Sequence, residues 1–109
     1  MIILDACRYD YFKEHHSKYL TGKLEKQESV GRHTMEWLDK TFKDKEDIIY
    51  VSANPFINSI QEMKDQFGNT FDGKKHFTKV VDAFNICWNE ELGTVTPKSL
   101  TNLTKKMLE

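Results

Sequence analysis

The 109-residue chain carries 16 Lys and Arg against 17 Asp and Glu, with 39% hydrophobic and 12% aromatic residues. That bounds it to one small domain, able to bury about two-thirds of its unfolded surface around a single modest core. A formal charge of −1 with no basic stripe argues against nucleic-acid binding.

The opening run Met1–Leu4 reads as a fully buried strand closed by the carboxylate of Asp5, because a continuous apolar run suits a parallel strand covered on both faces. This run and Ile48–Val51 are the longest apolar stretches, far short of the roughly 18 residues needed to cross a bilayer. Asp5 also interrupts the first before a signal-peptide core can form, so no membrane anchor and a cytoplasmic location are expected. Phe12, Tyr19 and Leu20, with Tyr11 and His15 one turn apart, predict a helix from about Asp10 to Leu20, with Asp10 at its positive end. Thr21-Gly22 stops it, and Lys23–Glu28 is a candidate polar edge strand.

Met35, Leu38 and Phe42 at i, i+3, i+7 predict a second helix with Thr34 at its N-cap and Glu36/Lys40 and Asp39/Lys43 pairs on its polar side. Ile48–Val51 follows as a second buried strand, closed by the turn residues Ser52-Ala53-Asn54-Pro55. Phe56, Ile60, Met63 and Phe67 fit one face of a further helix stopped by Gly68-Asn69. The β-branched Thr78, Val80 and Val81 predict a strand within Phe77–Phe84. Thr96-Pro97, a cap and a first-turn proline, open a last helix carrying Leu100, Leu103 and Met107 on one face. Alternating strands and helices with no repeat or linker predict a single α/β layer structure over residues 1–109 with a mainly parallel sheet.

Ligands of open α/β sheets bind beyond the carboxyl ends of the strands, which singles out Asp5, after the first strand, and Thr34, at the start of a helix. A carboxylate there suits a divalent cation, and a hydroxyl beside it can bind that cation or attack phosphorus. The ordinary alternatives are a turn aspartate and an N-cap threonine. Cys7 and Cys87 are far apart with no CxxC spacing, which predicts two buried free thiols rather than a zinc knuckle or redox pair.

Three strings bear on these residues together: Leu4-Asp5-Ala6-Cys7-Arg8-Tyr9-Asp10, Ser29-x-Gly31-x-x-Thr34-x-Glu36-Trp37-Leu38, and Asp47 through Phe56, continued by Val80-Val81-Asp82 and Glu90 to Val95. In this order they resemble the N-terminal part of sulfatase-like proteins of the alkaline phosphatase superfamily. The resemblance spans almost the whole chain. It implies part of a three-layer α/β/α sandwich and a metal-dependent hydrolase of phosphate or sulfate esters, with Asp5 as the first metal ligand. Thr34 would be nucleophile and second ligand, Arg8 and His33 would be anion contacts, and a divalent ion such as Zn, Mn or Ca would be the cofactor.

The chain departs from the family pattern in two ways. It lacks the C-x-P-x-R string that formylglycine-dependent sulfatases use, so the resemblance implies direct attack by Thr34, suited to phosphoesters. Family members are also far longer and draw further Asp and His ligands from downstream. The implied reading is an N-terminal segment carrying half an active site, inactive alone and completed by a homo-oligomer or a complementing chain. A non-catalytic α/β interaction module is the competing reading. Phosphatases with an aspartyl nucleophile after the first strand would need a second Asp where Cys7 stands.

Overall fold

The computed structural model describes residues 1–5 and 7–109, so Ala6, within the first string above, lies outside the described residues. In chain order the elements are α1 (Tyr9–His15), a single 3-10 turn (His16–Lys18), α2 (Thr34–Thr41), β1 (Glu46–Ser52), β2 (Met63–Lys64) and β3 (Thr70–Phe71). They continue with α3 (Gly73–His76), β4 (Phe77–Asp82), α4 (Ala83–Ile86), β5 (Trp88–Asn89), β6 (Thr94–Val95) and α5 (Pro97–Met107). The fold is α/β, centred on the parallel pair β1 and β4, in register from Ile49 opposite Lys79 to Ser52 opposite Asp82. The other pairings, β2 with β3 and β5 with β6, are separate short antiparallel ladders. Among the described residues, the sheet expected to be mainly parallel is therefore one parallel pair with two small hairpins.

The core forms where the helical apolar stripe of α2 meets that pair. Met35, Leu38 and Phe42 are buried in one cluster with Ile57, Phe71, Phe77 and Val80, and Ile48, Tyr50, Trp37 and Met63 lie against it. The Phe77 ring is central, edge-on to Phe42 at 5.1 Å and stacked on Tyr50 at 4.8 Å, arrangements aromatic quadrupoles favour. The Glu36–Lys40 pair on the outer side closes at 2.8 Å. At the other end of the chain Thr96 caps α5, accepting from the Ser99 amide at 3.2 Å, with Pro97 in the first turn.

Several expected elements differ. Met1–Leu4 is not a strand: Met1 and Ile2 are 94% and 86% exposed, and only Ile3 reaches the core cluster. A doubly covered strand needs a paired backbone and two apolar layers, whereas β1 is paired with β4 alone among the described residues. For the same reason Ile49 of β1 is 54% exposed, and the strand shows one covered face instead of two. Lys23–Glu28 carries no strand.

The helix expected over Phe56–Phe67 is absent because polar side chains capture its backbone donors. Asn58, itself buried, accepts from the amides of Ile60 and Gln61, and Asp65 accepts from those of Phe67 and Asn69. Such local bonds offer the chain a turn in place of a helix, and here they produce the turns flanking β2. Ile57, not Phe56 or Ile60, enters the core.

Candidate functional site

The site forms where three segments meet near the carboxyl end of β1. The turn after β1 is fixed by Ser52, whose buried hydroxyl donates to the Asn54 carbonyl at 2.7 Å and accepts from its amide at 3.2 Å. The Asn54 side-chain oxygen then accepts from the Phe56 amide at 3.0 Å. This orients the amide group so that its Nδ2 donates to Asp5 Oδ2 at 3.2 Å.

Thr34 arrives from the other side. It is the first helical residue of α2, and the N-cap is His33, whose side chain makes no capping bond. The expected capping role is therefore not the one its hydroxyl plays. Instead Thr34 Oγ1 donates to the Asp5 carboxylate, at 3.2 Å from Oδ2 and 3.5 Å from Oδ1. The entry to α2 is held by Glu36, which accepts from the Arg32 amide at 3.2 Å and from Lys40. Those two bonds, Lys40 foremost, keep the Glu36 carboxyl below the usual carboxylate range.

Asp5 and Thr34, separated by 28 intervening residues, are thus in direct contact, and Asn54 joins them. A hydroxyl donating to a carboxylate is the starting arrangement for a nucleophile that gives up its proton as it attacks. Asp5 also projects its charge toward the core: burial pushes the Tyr50 phenol up, and the Asp5 carboxylate adds to the rise.

The three polar residues form one corner of an open cleft of about 1270 Å³ whose walls include Trp37, Tyr50, Phe56 and Phe67. His33 lines the same cleft, its ring stacked on Phe67 with centroids 3.9 Å apart. Arg8 does not line it. Its guanidinium forms two bonds to Asp10, at 3.1 and 2.6 Å, and lies over the Tyr11 ring. Arg32, on the loop before α2, does line it.

Cys7, expected to be buried, is exposed and borders the cleft, while Cys87 is half-buried with its thiol toward the Ser99 carbonyl. Burial of Cys7 would have required the preceding apolar run to enter the core, and only Ile3 does. Besides Arg32, the cleft gains Asn54 and Phe67, which no sequence motif marks as site residues. Asn54 was legible only as a turn residue, although its place just after β1 is where sheet ligands gather. Phe67 sat in an apolar periodicity that pointed to a core helix.

The donor set suits a hard or borderline divalent cation in part. The Asp5 carboxylate and the Thr34 hydroxyl are oxygen donors in contact, while the Asn54 oxygen is committed to the Phe56 amide. Among the described residues no three His, Cys, Asp or Glu side chains converge on a point, and a closed site takes four or more ligands. Among the described residues no helix is long and apolar enough to cross a membrane. No protein-family model, no curated protein and no solved structure matches this chain.

Proposed function

We propose that the chain carries the nucleophile half of a metal-dependent phosphoric or sulfuric ester hydrolase site, within a three-layer α/β/α sandwich of the alkaline phosphatase kind. The observation that carries this reading is the 3.2 Å bond from Thr34 Oγ1 to the Asp5 carboxylate at the start of α2. Thr34 presents the attacking oxygen, Asp5 receives or orients its proton, and Asn54 holds Asp5 in place. The free backbone N–H groups of the first turn of α2 favour an anionic ester beside Thr34.

Asp5 and Thr34 would hold the divalent ion, Zn, Mn or Ca, which when bound lowers the hydroxyl pKa and offsets developing negative charge. The remaining ligands come from further polypeptide, a second copy or a complementing chain. Manganese relaxation tests the reading: Mn²⁺ added to the isotope-labelled chain should broaden the backbone signals of Asp5, Thr34 and Asn54 first. That broadening should vanish in Asp5→Asn. Broadening spread evenly over acidic residues, or unchanged in the variant, would remove the site assignment.

A second reading, an α/β interaction module without catalysis, is favoured by the exposed apolar side chains of Met1, Ile2 and Leu4, the last of which lines the cleft. It predicts a concentration-dependent complex in sedimentation, whether or not metal binds. A strictly monomeric chain would count against it.

A further inference from the structure

The cleft has an aromatic wall that the proposed hydrolysis does not use. Phe67 stands at the tip of the β2–β3 hairpin, in a turn whose polar groups are extensively paired. Asp65 accepts from the amides of Phe67 and Asn69, both at 2.9 Å, and from the Asn69 side chain at 3.0 Å. The Asp65 amide donates to the Asn69 carbonyl at 3.0 Å, and Gly68 takes the left-handed φ of +84° that closes the turn. A turn this constrained holds Phe67 in one place.

That place is outside the core. Phe67 is 56% exposed, lines the cleft, and stacks on His33, the residue immediately before Thr34. The stack is nearly parallel, with 10° between the ring planes. Leu4 and Phe56 extend the apolar lining, while Asp5, Thr34 and Asn54 form its polar corner. Arg32, Lys64, Asp65 and Gln66 also border the cleft, but most of its lining is apolar, and a mostly apolar cleft with a polar corner fits an amphipathic ligand, its charged end at the corner and its apolar body on the wall.

We propose that the His33–Phe67 stack is the specificity-determining wall of the site, receiving the planar apolar group of an ester whose phosphoryl or sulfuryl end lies at Thr34. This rests on the hydrolase reading above. Phe67 acts here by contact with the apolar group, and Asp65 is a positioning residue that fixes the hairpin tip.

The test is an NMR titration of the full chain with two non-hydrolysable probes, phenylphosphonate and methylphosphonate. Phenylphosphonate should bind about tenfold more tightly, the contribution of one good aromatic contact, and should shift the signals of both Phe67 and Thr34. The ratio should fall to about one in Phe67→Ala and return in Phe67→Tyr, which keeps the ring. Phe67 is outside the core, so the unfolding midpoint of Phe67→Ala serves as the check that the variant is folded. Equal binding of the two probes with the Thr34 signal still moving would overturn the wall and leave the hydrolase reading standing. Phenylphosphonate that moves Phe67 but not Thr34 would overturn the hydrolase reading and this inference with it, as would binding of neither probe.

Discussion

Replacing Gly31 with alanine tests how the loop before α2 delivers Thr34. Gly31 is held by Ser29, whose hydroxyl donates to its carbonyl at 2.7 Å and accepts from its amide at 3.3 Å. A Cβ built there would lie 2.5 Å from the Trp37 nitrogen, 2.7 Å from the Trp37 Cα and 2.9 Å from the Glu36 carbonyl carbon. All three are backbone atoms of α2, and that helix is anchored by Met35 and Leu38, which are fully buried. Ordinary carbon contacts begin near 3.5 Å, so the loop must retreat by about 1 Å. Overpacking of this size costs about 1–3 kcal/mol, which for a chain near 100 residues lowers the melting temperature by roughly 5–20 °C. Thermal unfolding followed by circular dichroism reads the loss directly. A midpoint within about 2 °C of the parent chain would refute the close approach of Gly31 to Trp37, and with it the described placement of Thr34.

Leu38→Ala empties the centre of the core cluster and should cost about 2–5 kcal/mol in urea unfolding; a loss below about 1 kcal/mol would mean that α2 does not pack as described. Partial burial raises the Asp65 carboxyl, but the bonds from Asn69 and the Phe67 amide outweigh it and hold the group below its ordinary value. Its contribution to stability is therefore full above the unfolded carboxyl value, near pH 4, and is lost as pH falls through that value and then the folded one. Accordingly, the stability difference between the parent chain and Asp65→Asn should shrink below about pH 4, and a difference constant down to pH 2 would contradict the turn geometry. Asp5→Asn should move the Tyr50 phenol part of the way back toward its ordinary value, because burial, the larger cause, remains. Ring signals followed through an alkaline NMR titration check this, and an unmoved Tyr50 would separate Asp5 from the β1 edge.

What could be read from the sequence depended on whether one local signal dominated. The α2 stripe of Met35, Leu38 and Phe42 and the Thr96-Pro97 start of α5 are such cases: periodicity marks the first and cap chemistry the second, and both helices form, although Thr34 opens α2 as its first helical residue instead of capping it. The β1 and β4 runs are legible for the same reason, but their partners are not, since pairing is a tertiary choice and the intervening segment became a hairpin. Phe56–Phe67 shows the opposite case, an apolar period overruled by Asn58 and Asp65, whose side chains compete for the backbone amides.

At the site, Asp5 and Thr34 are each legible from position, one at the end of an apolar run and the other at a helix start. Their contact, and the oriented Asn54 that donates to Asp5, depend on the turn after β1, which no spacing encodes. The anion contact that the family resemblance implies for Arg8 does not form at the cleft, because Asp10 two residues later pairs with its guanidinium locally. Arg32 and Phe67 come to the cleft by way of loops, where sequence periodicity carries no information.

In the proposed reading, Asp5 and Thr34 form a half-site that engages a divalent cation. Thermal unfolding of the chain with and without Zn²⁺ or Mn²⁺, alongside Asp5→Asn, tests it most directly. A cation present at about 100 times its dissociation constant should add roughly 2.7 kcal/mol of stability. The expected result is a metal-dependent rise in the midpoint that is lost in Asp5→Asn while the variant still unfolds cooperatively. A cooperative transition indifferent to metal, or a rise that survives the substitution, would contradict it.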